Sequence, residues 1–296
     1  MIVLMEFVIY LALVLVGLCM GSFAGAQTWR LRAHQLKADK KAGEQVNKKE
    51  YERLKPLADT KVSKDHSRCL HCGYALRWYD LIPVVSWLSL GGKCRQCRKP
   101  IGTFELAIEL SMAAFFVLSY LLWPYTLDTW QTISTFILWL VAGVGLGILF
   151  AYDAKWFLLP DIANFVVIGA GALVSLLSII FAADPLTQFL NVIFSVFILS
   201  GLYWVLYIIS KKQWIGFGDV KLGLGLALLL ADWRLALIAL FAANLIGTLA
   251  VLPGLFIGKL KGRSHVPFGP FLILGTVVAQ FAGIALIGYY TSTLLY

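Results

Sequence analysis

After its first hundred residues, the chain consists mainly of long apolar runs separated by short polar segments. Each run is close to the roughly 20 apolar residues that an α-helix needs to cross a bilayer. Because such runs recur along the chain, neither a cleaved signal peptide nor a single membrane anchor accounts for them. The pattern predicts an all-α polytopic membrane protein with about eight transmembrane helices, at residues 3–26, 104–124, 132–152, 162–183, 187–209, 219–232, 235–257 and 267–294.

The predicted span 219–232 is shorter than the others, and Gly223 and Gly225 interrupt its first half. Short or glycine-interrupted spans often border a cavity rather than lipid. We therefore expect this span to line a cavity inside the protein.

The composition agrees with a membrane protein, since 60% of the 296 residues are hydrophobic and only 14% are charged. Soluble domains carry about 25% charged residues. The polar exception is the segment 27–103, whose first half alternates Lys, Glu, Ala and Leu, a pattern typical of a solvated helix or a partly disordered arm. We divide the chain into a first transmembrane helix (1–26), a cytosolic arm with a four-cysteine module (27–103) and a transmembrane domain (104–296).

The distribution of basic residues predicts the orientation. If the N-terminus lies outside, 24 of the 25 Lys and Arg residues fall on the inner side and only Arg234 falls outside. The positive-inside rule therefore predicts a multi-pass protein of the cytoplasmic (inner) membrane with its N-terminus outside. On this interpretation the net charge of +9 is a topology signal that also attracts anionic lipid headgroups, and no nucleic-acid partner is expected.

Four cysteines form a module of their own within the polar segment. Two CxxC pairs, Cys69 with Cys72 and Cys94 with Cys97, stand 21 residues apart, which is the spacing of a zinc ribbon with four thiolate ligands. Disulfides are the alternative, but the predicted topology places these thiols in the reducing cytosol. We interpret His71 as a surface residue and Cys19, in the first span, as a small packing residue.

Placing a carboxylate near the bilayer costs free energy, so each such residue is a candidate functional residue until a structural explanation is found. Solvation at the outer ends of their spans explains Glu6 and Asp232. Glu105 and Glu109 lie four residues apart on one face of a helix, where the favourable helix N-terminus explains Glu105. Glu109 lies a turn deeper, and both a structural role and a site remain open for it.

Asp153 and Asp161 border the same short cytosolic loop. An N-cap explains Asp161, which opens a span. Asp153 stands at a helix C-terminus, where the helix dipole disfavours negative charge, so a cap does not explain it. An interfacial ion pair with Lys155 is its structural alternative.

Asp219 follows Gly216 and Gly218, which leave room for another backbone to approach its carboxylate. The predicted topology brings Asp219 to the same cytosolic membrane edge as Asp153, although 66 residues separate them in sequence. Two neighbouring carboxylates share one proton and titrate as a pair. Such a pair hydrolyses amides, because one member activates water while the other donates a hydrogen bond to the carbonyl.

Several motifs together resemble the bacterial type IV prepilin peptidases, over most of the chain. The segment Gly216-Phe217-Gly218-Asp219-Val220-Lys221-Leu222 resembles the GxGDxKL motif of that family, the most specific of the set. The other matching segments are Gly21-Ser22-Phe23, the cysteine module with Trp78-Tyr79-Asp80-Leu81-Ile82-Pro83, Asp153 with Leu159-Pro160-Asp161, and Pro267-Phe268-Gly269-Pro270.

This resemblance implies an aspartyl peptidase with Asp153 and Asp219 as its catalytic pair. It implies accessory positions at Asp161, Gly216, Gly218 and Lys221. It also implies structural zinc at the four cysteines, prepilin or pseudopilin substrates cut at the cytosolic face, and N-methylation of the new N-terminus from S-adenosylmethionine.

The chain departs from the family pattern in two places. Residues 101–105 lack the Arg and Tyr-Pro that often precede the second span, and the 34–65 arm is longer than usual. Both departures lie in the part linked to methyl transfer. The alternatives are a peptidase without methyltransferase activity, an ion-coupled transporter whose two aspartates bind a cation, and an inactive membrane assembly factor.

Overall fold

The computed structural model of the chain describes residues 2–59, 66–258 and 266–294. Their regular structure is helical, apart from two isolated β-bridges in the cysteine module. The predicted all-α fold class is therefore confirmed. The helices are α1 (Ile2–Lys41), α2 (Lys48–Asp59), α3 (Val85–Ser89), α4 (Phe104–Leu121), α5 (Trp130–Trp156), α6 (Asp161–Ile180), α7 (Pro185–Val196), α8 (Leu202–Ile209), α9 (Phe217–Leu230), α10 (Trp233–Phe256) and α11 (Gly269–Leu294).

Seven helical segments of the described chain are long and apolar enough to cross a membrane. One of them, Pro185–Ile209, combines α7 and α8 with the π-helical segment Phe197–Gly201 between them. The eighth predicted span is α9, which has only 14 residues. The prediction of about eight transmembrane helices is thus confirmed, and the protein is a multi-pass membrane protein.

The chain folds as two compact units, an N-terminal unit of Met1–Val117 and a C-terminal unit of Leu118–Tyr296. In the N-terminal unit, α1 and α4 approach closely where α1 carries glycine. A Cβ on Gly21 would lie only 2.5 Å from the Cα of Glu109. Small residues permit this kind of close approach between membrane helices.

The first half of the polar arm is helical rather than irregular. Helix α1 continues past the predicted membrane boundary to Lys41, and α2 packs beside it through the ion pairs Arg32–Glu50 and Lys37–Asp59. The solvated-helix alternative is therefore correct for the arm up to Asp59. Residues 60–65 lie outside the described chain, as does His265, to which the sequence assigned no role.

In the C-terminal unit, α9 is buried among the longer helices. Its glycines allow the helices to pack closely, because a Cβ on Gly223 would collide with the backbone carbonyl of Leu199. Neighbouring helices also bond to its backbone. Three buried hydroxyl groups donate to α9 carbonyl oxygens, from Ser175 to Leu228, from Ser195 to Ala227 and from Ser200 to Val220.

Candidate active site

The Asp219 side chain lies in the first turn of α9, whose N-cap residue is Gly216. The backbone N–H of Gly216 donates to Asp219 Oδ2 over 3.2 Å. A carboxylate in this position also benefits from the positive end of the helix dipole. The GxGD segment thus places a negative charge where its own backbone stabilises it.

Asp153 lies in the last turn of α5 and is 5% exposed. Its Oδ2 accepts a hydrogen bond of 3.0 Å from the backbone N–H of Gly269, the first residue of α11. The helix start of α11 therefore offsets the unfavourable C-terminus of α5. The Nζ of Lys155, the residue of the ion-pair alternative, lies 5.0 Å from the ring centroid of Trp156.

Leu159 connects the surroundings of the two carboxylates. A Cβ on Gly218 would lie 2.9 Å from Leu159 Cβ, and one on Gly269 would lie 3.3 Å from Leu159 Cδ2. Gly218 precedes Asp219, and Gly269 donates to Asp153, so one leucine touches both sides of the pair. The charge of Asp219 acts on the carboxylate of Asp153. The structure therefore brings together the two aspartates that the predicted topology placed at one membrane edge.

The predicted N-cap role of Asp161 is wrong. The N-cap residue of α6 is Pro160, and Asp161 is the first residue of the helix. Its Oδ1 instead accepts a hydrogen bond of 2.6 Å from Lys221 Nζ, across from α6 to α9. Two predicted accessory positions thus form one ion pair next to the aspartate pair.

The two glycines before Asp219 have different roles. Gly216 supplies a backbone donor, whereas Gly218 makes room for the Leu159 side chain. Both glycines leave space beside the carboxylate. The sequence predicted that another backbone would occupy this space, but at Gly218 the Leu159 side chain occupies it.

Glu109 belongs to the N-terminal unit and is 8% exposed. Its Oε2 accepts a hydrogen bond of 2.8 Å from the backbone N–H of Val84. This contact ties the segment before α3 to α4. It supports the structural alternative for Glu109.

The four cysteine sulfurs lie within 4.8 Å of one another. The Sγ atoms of Cys69 and Cys97 are 4.0 Å apart, and those of Cys72 and Cys94 are 3.9 Å apart. Tetrahedral zinc with bonds of about 2.3 Å requires sulfurs about 3.8 Å apart. The arrangement therefore fits a metal ion such as zinc, and all four cysteines are free of disulfides.

The two CxxC pairs sit on equivalent turns. The Gly73 N–H donates to the Cys69 carbonyl and the Arg98 N–H to the Cys94 carbonyl, and both Gly73 and Arg98 have positive φ. The clustered thiols titrate together. Burial raises the pKa of Cys69 to about 12, whereas at Cys94 the N–H groups of Cys97 and Gln96 and the neighbouring thiols outweigh burial and lower the pKa to about 7.

The remaining cysteine and the neighbouring histidine lie outside this cluster. His71 is exposed, as predicted. Cys19 is exposed on α1 and is not a member of the four-cysteine cluster. Its position on a membrane helix leaves it facing outward rather than toward a neighbouring helix of the described chain.

A cavity of about 630 Å³ opens at the other ends of the C-terminal helices. Leu229, Leu230 and Ala231 line it, so the end of α9 borders a cavity, as expected for the short span. Its charged lining residues, Asp232 and Arg234, pair with each other over 2.7 Å. The aspartate pair lies at the start of α9, away from this cavity.

Sequence reasoning missed the hydrogen bond from Gly269 and the bridging position of Leu159. Leu159 lies in the loop between Asp153 and Asp161, and Gly269 lies in the segment Pro267 to Pro270, which drew attention only through the family resemblance. Neither Leu159 nor Gly269 carries a charge or periodicity that points to Asp153.

Comparison with known proteins agrees with the two-unit organisation. The bacterial peptidase A24 N-terminal domain matches residues 15–123, and the type IV leader peptidase family matches residues 140–252. No solved structure matches the chain.

Curated relatives match along most of their length. A prepilin leader peptidase/N-methyltransferase of Pseudomonas aeruginosa is 27% identical over 92% of this chain and 90% of the relative. One of Dichelobacter nodosus is 32% identical over 70% of this chain and 68% of the relative. A type 4 prepilin-like proteins leader peptide-processing enzyme of Escherichia coli is 29% identical over 90% of this chain and 91% of the relative.

Proposed function

This chain belongs to the type IV leader peptidase family, and we propose that it cleaves the leader peptides of prepilins or pseudopilins with Asp153 and Asp219 as its catalytic pair. The observation that carries the proposal is the convergence of two carboxylates at two helix starts. Gly216 and Gly269 each donate a backbone N–H to one of them, and Leu159 touches both sides.

The pair shares one proton, because two adjacent carboxylates do not both ionise readily. The ionised member takes a proton from water, and the water oxygen forms a bond to the scissile carbonyl carbon. The protonated member donates a hydrogen bond to the carbonyl oxygen, which gains negative charge. A proton then passes to the leaving amine, the C–N bond breaks, and the pair returns to its starting protonation.

Asp161, Lys221, Gly216 and Gly218 act as accessory residues in this proposal. The ion pair between Asp161 and Lys221 joins the first turns of α6 and α9 and fixes their relative position. Gly216 stabilises the Asp219 charge, and Gly218 admits Leu159. These four residues orient the catalytic pair and do not themselves react.

We place the pair at the cytosolic face of the inner membrane, with the N-terminus outside. The support is the distribution of basic residues, of which 24 of 25 fall on the inner side in that orientation. A prepilin leader is then cut on the cytosolic side, at a bond just before the hydrophobic helix of the substrate.

The second proposed activity is N-methylation of the new N-terminus from S-adenosylmethionine. Its support is the match of residues 15–123 to the family's N-terminal domain and the names of the relatives, which join leader peptidase and N-methyltransferase. We assign this activity to the N-terminal unit. The zinc ligands would be Cys69, Cys72, Cys94 and Cys97. A closed set of four thiolates leaves no coordination position for a reacting water, so this zinc would be structural and would hold the module together.

Incubation of the purified protein with a prepilin, with and without S-adenosylmethionine, tests both activities. Mass measurement of the product separates three outcomes. A product lacking the leader and heavier by one methyl group only when the cofactor is added supports both activities. A shortened product without the methyl group supports the peptidase alone. An uncut substrate contradicts the proposal and favours a transporter or an inactive assembly factor.

A further inference from the structure

Tyr203 lies beside the start of α9, as its neighbours in the chain show. Ser200, one turn before it, donates its hydroxyl to the Val220 carbonyl over 3.0 Å. Tyr207, one turn after it, has its ring 5.5 Å from that of Phe217. Residues three and four apart share one face of a helix. The Tyr203 side chain is therefore level with the residues between Phe217 and Val220, which include Asp219.

A second contact connects Tyr203 to the other half of the pair. Its ring centroid lies 5.6 Å from that of Phe268. The next residue, Gly269, donates its backbone N–H to Asp153. Tyr203 thus packs against the segment that stabilises Asp153 while its own helix runs along the segment that carries Asp219.

The Tyr203 side chain as a whole is buried, with 4% of the residue exposed. Its hydroxyl is not one of the fully buried polar atoms that lack a partner in the described chain. No hydrogen bond of this hydroxyl is formed within residues 2–59, 66–258 and 266–294, yet the charge of Asp219 acts on it. A tyrosine with a buried ring usually directs its hydroxyl to a hydrogen-bond partner, and the nearby carboxylate is a suitable acceptor.

The backbone before Tyr203 explains how the ring reaches this place. The segment Phe197–Gly201 is π-helical and separates α7 from α8. Such one-turn π segments shift the following side chains around the helix axis and occur often at functional sites. Ser200 lies in this segment and donates its hydroxyl to the Val220 carbonyl of α9.

We propose that Tyr203 is a positioning residue of this active site, which donates a hydrogen bond from its phenol to the carboxylate of Asp219 and fixes it for catalysis. This inference rests on the proposed peptidase function. The other charged groups close by are Asp153 and the ion pair of Asp161 with Lys221. The phenol remains protonated throughout, so no additional reactant is required.

The test replaces Tyr203 by phenylalanine, which keeps the ring against Phe268 and removes only the hydroxyl. The variant loses a hydrogen bond to a charged group. This loss should reduce kcat roughly 10-fold to 100-fold and change KM less than about 2-fold. Loss of a donor to the carboxylate favours its protonated form, so the acidic limb of the rate profile should move to higher pH. A merely structural role would leave that limb in place.

Two further variants make the experiment specific. Tyr207→Phe removes a hydroxyl one turn away, keeps the ring contact with Phe217, and should retain wild-type kcat and pH profile. Incorporation of 3-fluorotyrosine at position 203 keeps the donor, and kcat should stay within about 3-fold of wild type.

Wild-type kcat and pH profile in Tyr203→Phe, while Asp219→Asn is inactive, would overturn the inference and leave the peptidase proposal intact. Equal losses in Tyr203→Phe and Tyr207→Phe would also overturn it, since they indicate general packing. Normal cleavage by Asp219→Asn would instead contradict the proposed function itself.

Discussion

The backbone N–H of Gly269 donates a 3.0 Å hydrogen bond to Asp153 Oδ2 across 116 residues of sequence. Gly269 begins α11, so the bond brings a helix N-terminus to a carboxylate at the end of α5. This contact leaves no room for a side chain, because a Cβ on Gly269 would lie 2.7 Å from Asp153 Oδ2.

Gly269→Ala should therefore displace the Asp153 carboxylate and lower the cleavage rate. Small displacements of reacting groups cost roughly 10-fold to 100-fold in rate. The matched control is Gly288→Ala in the same helix, where an added Cβ has no neighbour within 4 Å. Rates of cleavage measured for both variants should differ by that factor, and equal rates would contradict the assigned contact.

Asp153→Asn and Asp219→Asn should each abolish cleavage while the protein still inserts and folds. A shared proton requires two ionisable members, so either change should reduce the rate on the order of 10³-fold. Asp184→Asn is the control, since Asp184 caps α7 on the exposed surface. Normal cleavage by either pair variant, measured by mass of the product, would refute the assignment.

Asp161→Asn should reduce cleavage only mildly. The reason is not the helix cap predicted from sequence but a partly exposed ion pair, in which the side chains of Lys221 and Asp161 are 23% and 57% exposed. Such pairs contribute at most about 1 kcal/mol. A double-mutant cycle with Lys221→Met should show coupling of about 0.5 kcal/mol in the cleavage rate, whereas strictly additive effects would show that the pair has no joint role.

Cys72→Ser with Cys97→Ser should release the metal and locally unfold residues 68–100, because binding free energy in small zinc modules is largely folding free energy. Methyl transfer should fail, while cleavage continues at a reduced rate. Cys19→Ser is the control and should retain zinc, since Cys19 lies outside the cluster. Zinc content, methylation and cleavage are measured on one preparation. Full methylation without zinc, or complete loss of cleavage with intact helices, would refute this division of roles.

A cysteine in the 125–131 loop should react with a membrane-impermeant reagent added from outside, and one beside Lys212 should not. The expectation follows from the positive-inside distribution of basic residues. Labelling before and after the membrane is opened provides the internal control. The opposite pattern would reverse the orientation and move the aspartate pair to the outer face.

The sequence predicted the helices well, because membrane spans depend on local hydropathy alone. It also predicted one shared membrane edge for Asp153 and Asp219, and in the structure the charge of Asp219 acts on Asp153. It did not predict the partners of these residues. Lys221 bonds to Asp161 from 60 positions away, and this pairing depends on the register between α6 and α9 rather than on either segment.

Tyr203 shows a second limit. In a run of apolar and aromatic residues, hydropathy does not distinguish a buried tyrosine beside a carboxylate from one that faces lipid. The π-helical segment Phe197–Gly201 before it also interrupts the regular helical register on which sequence patterns depend.

The hydroxyl groups of Ser175, Ser195 and Ser200 bond to carbonyls along the whole length of α9. These three anchors come from α6, α7 and the π-helical segment, so α9 can neither slide along its axis nor rotate without breaking bonds to several neighbours at once. The helix that carries Asp219 is therefore held in one position by its neighbours.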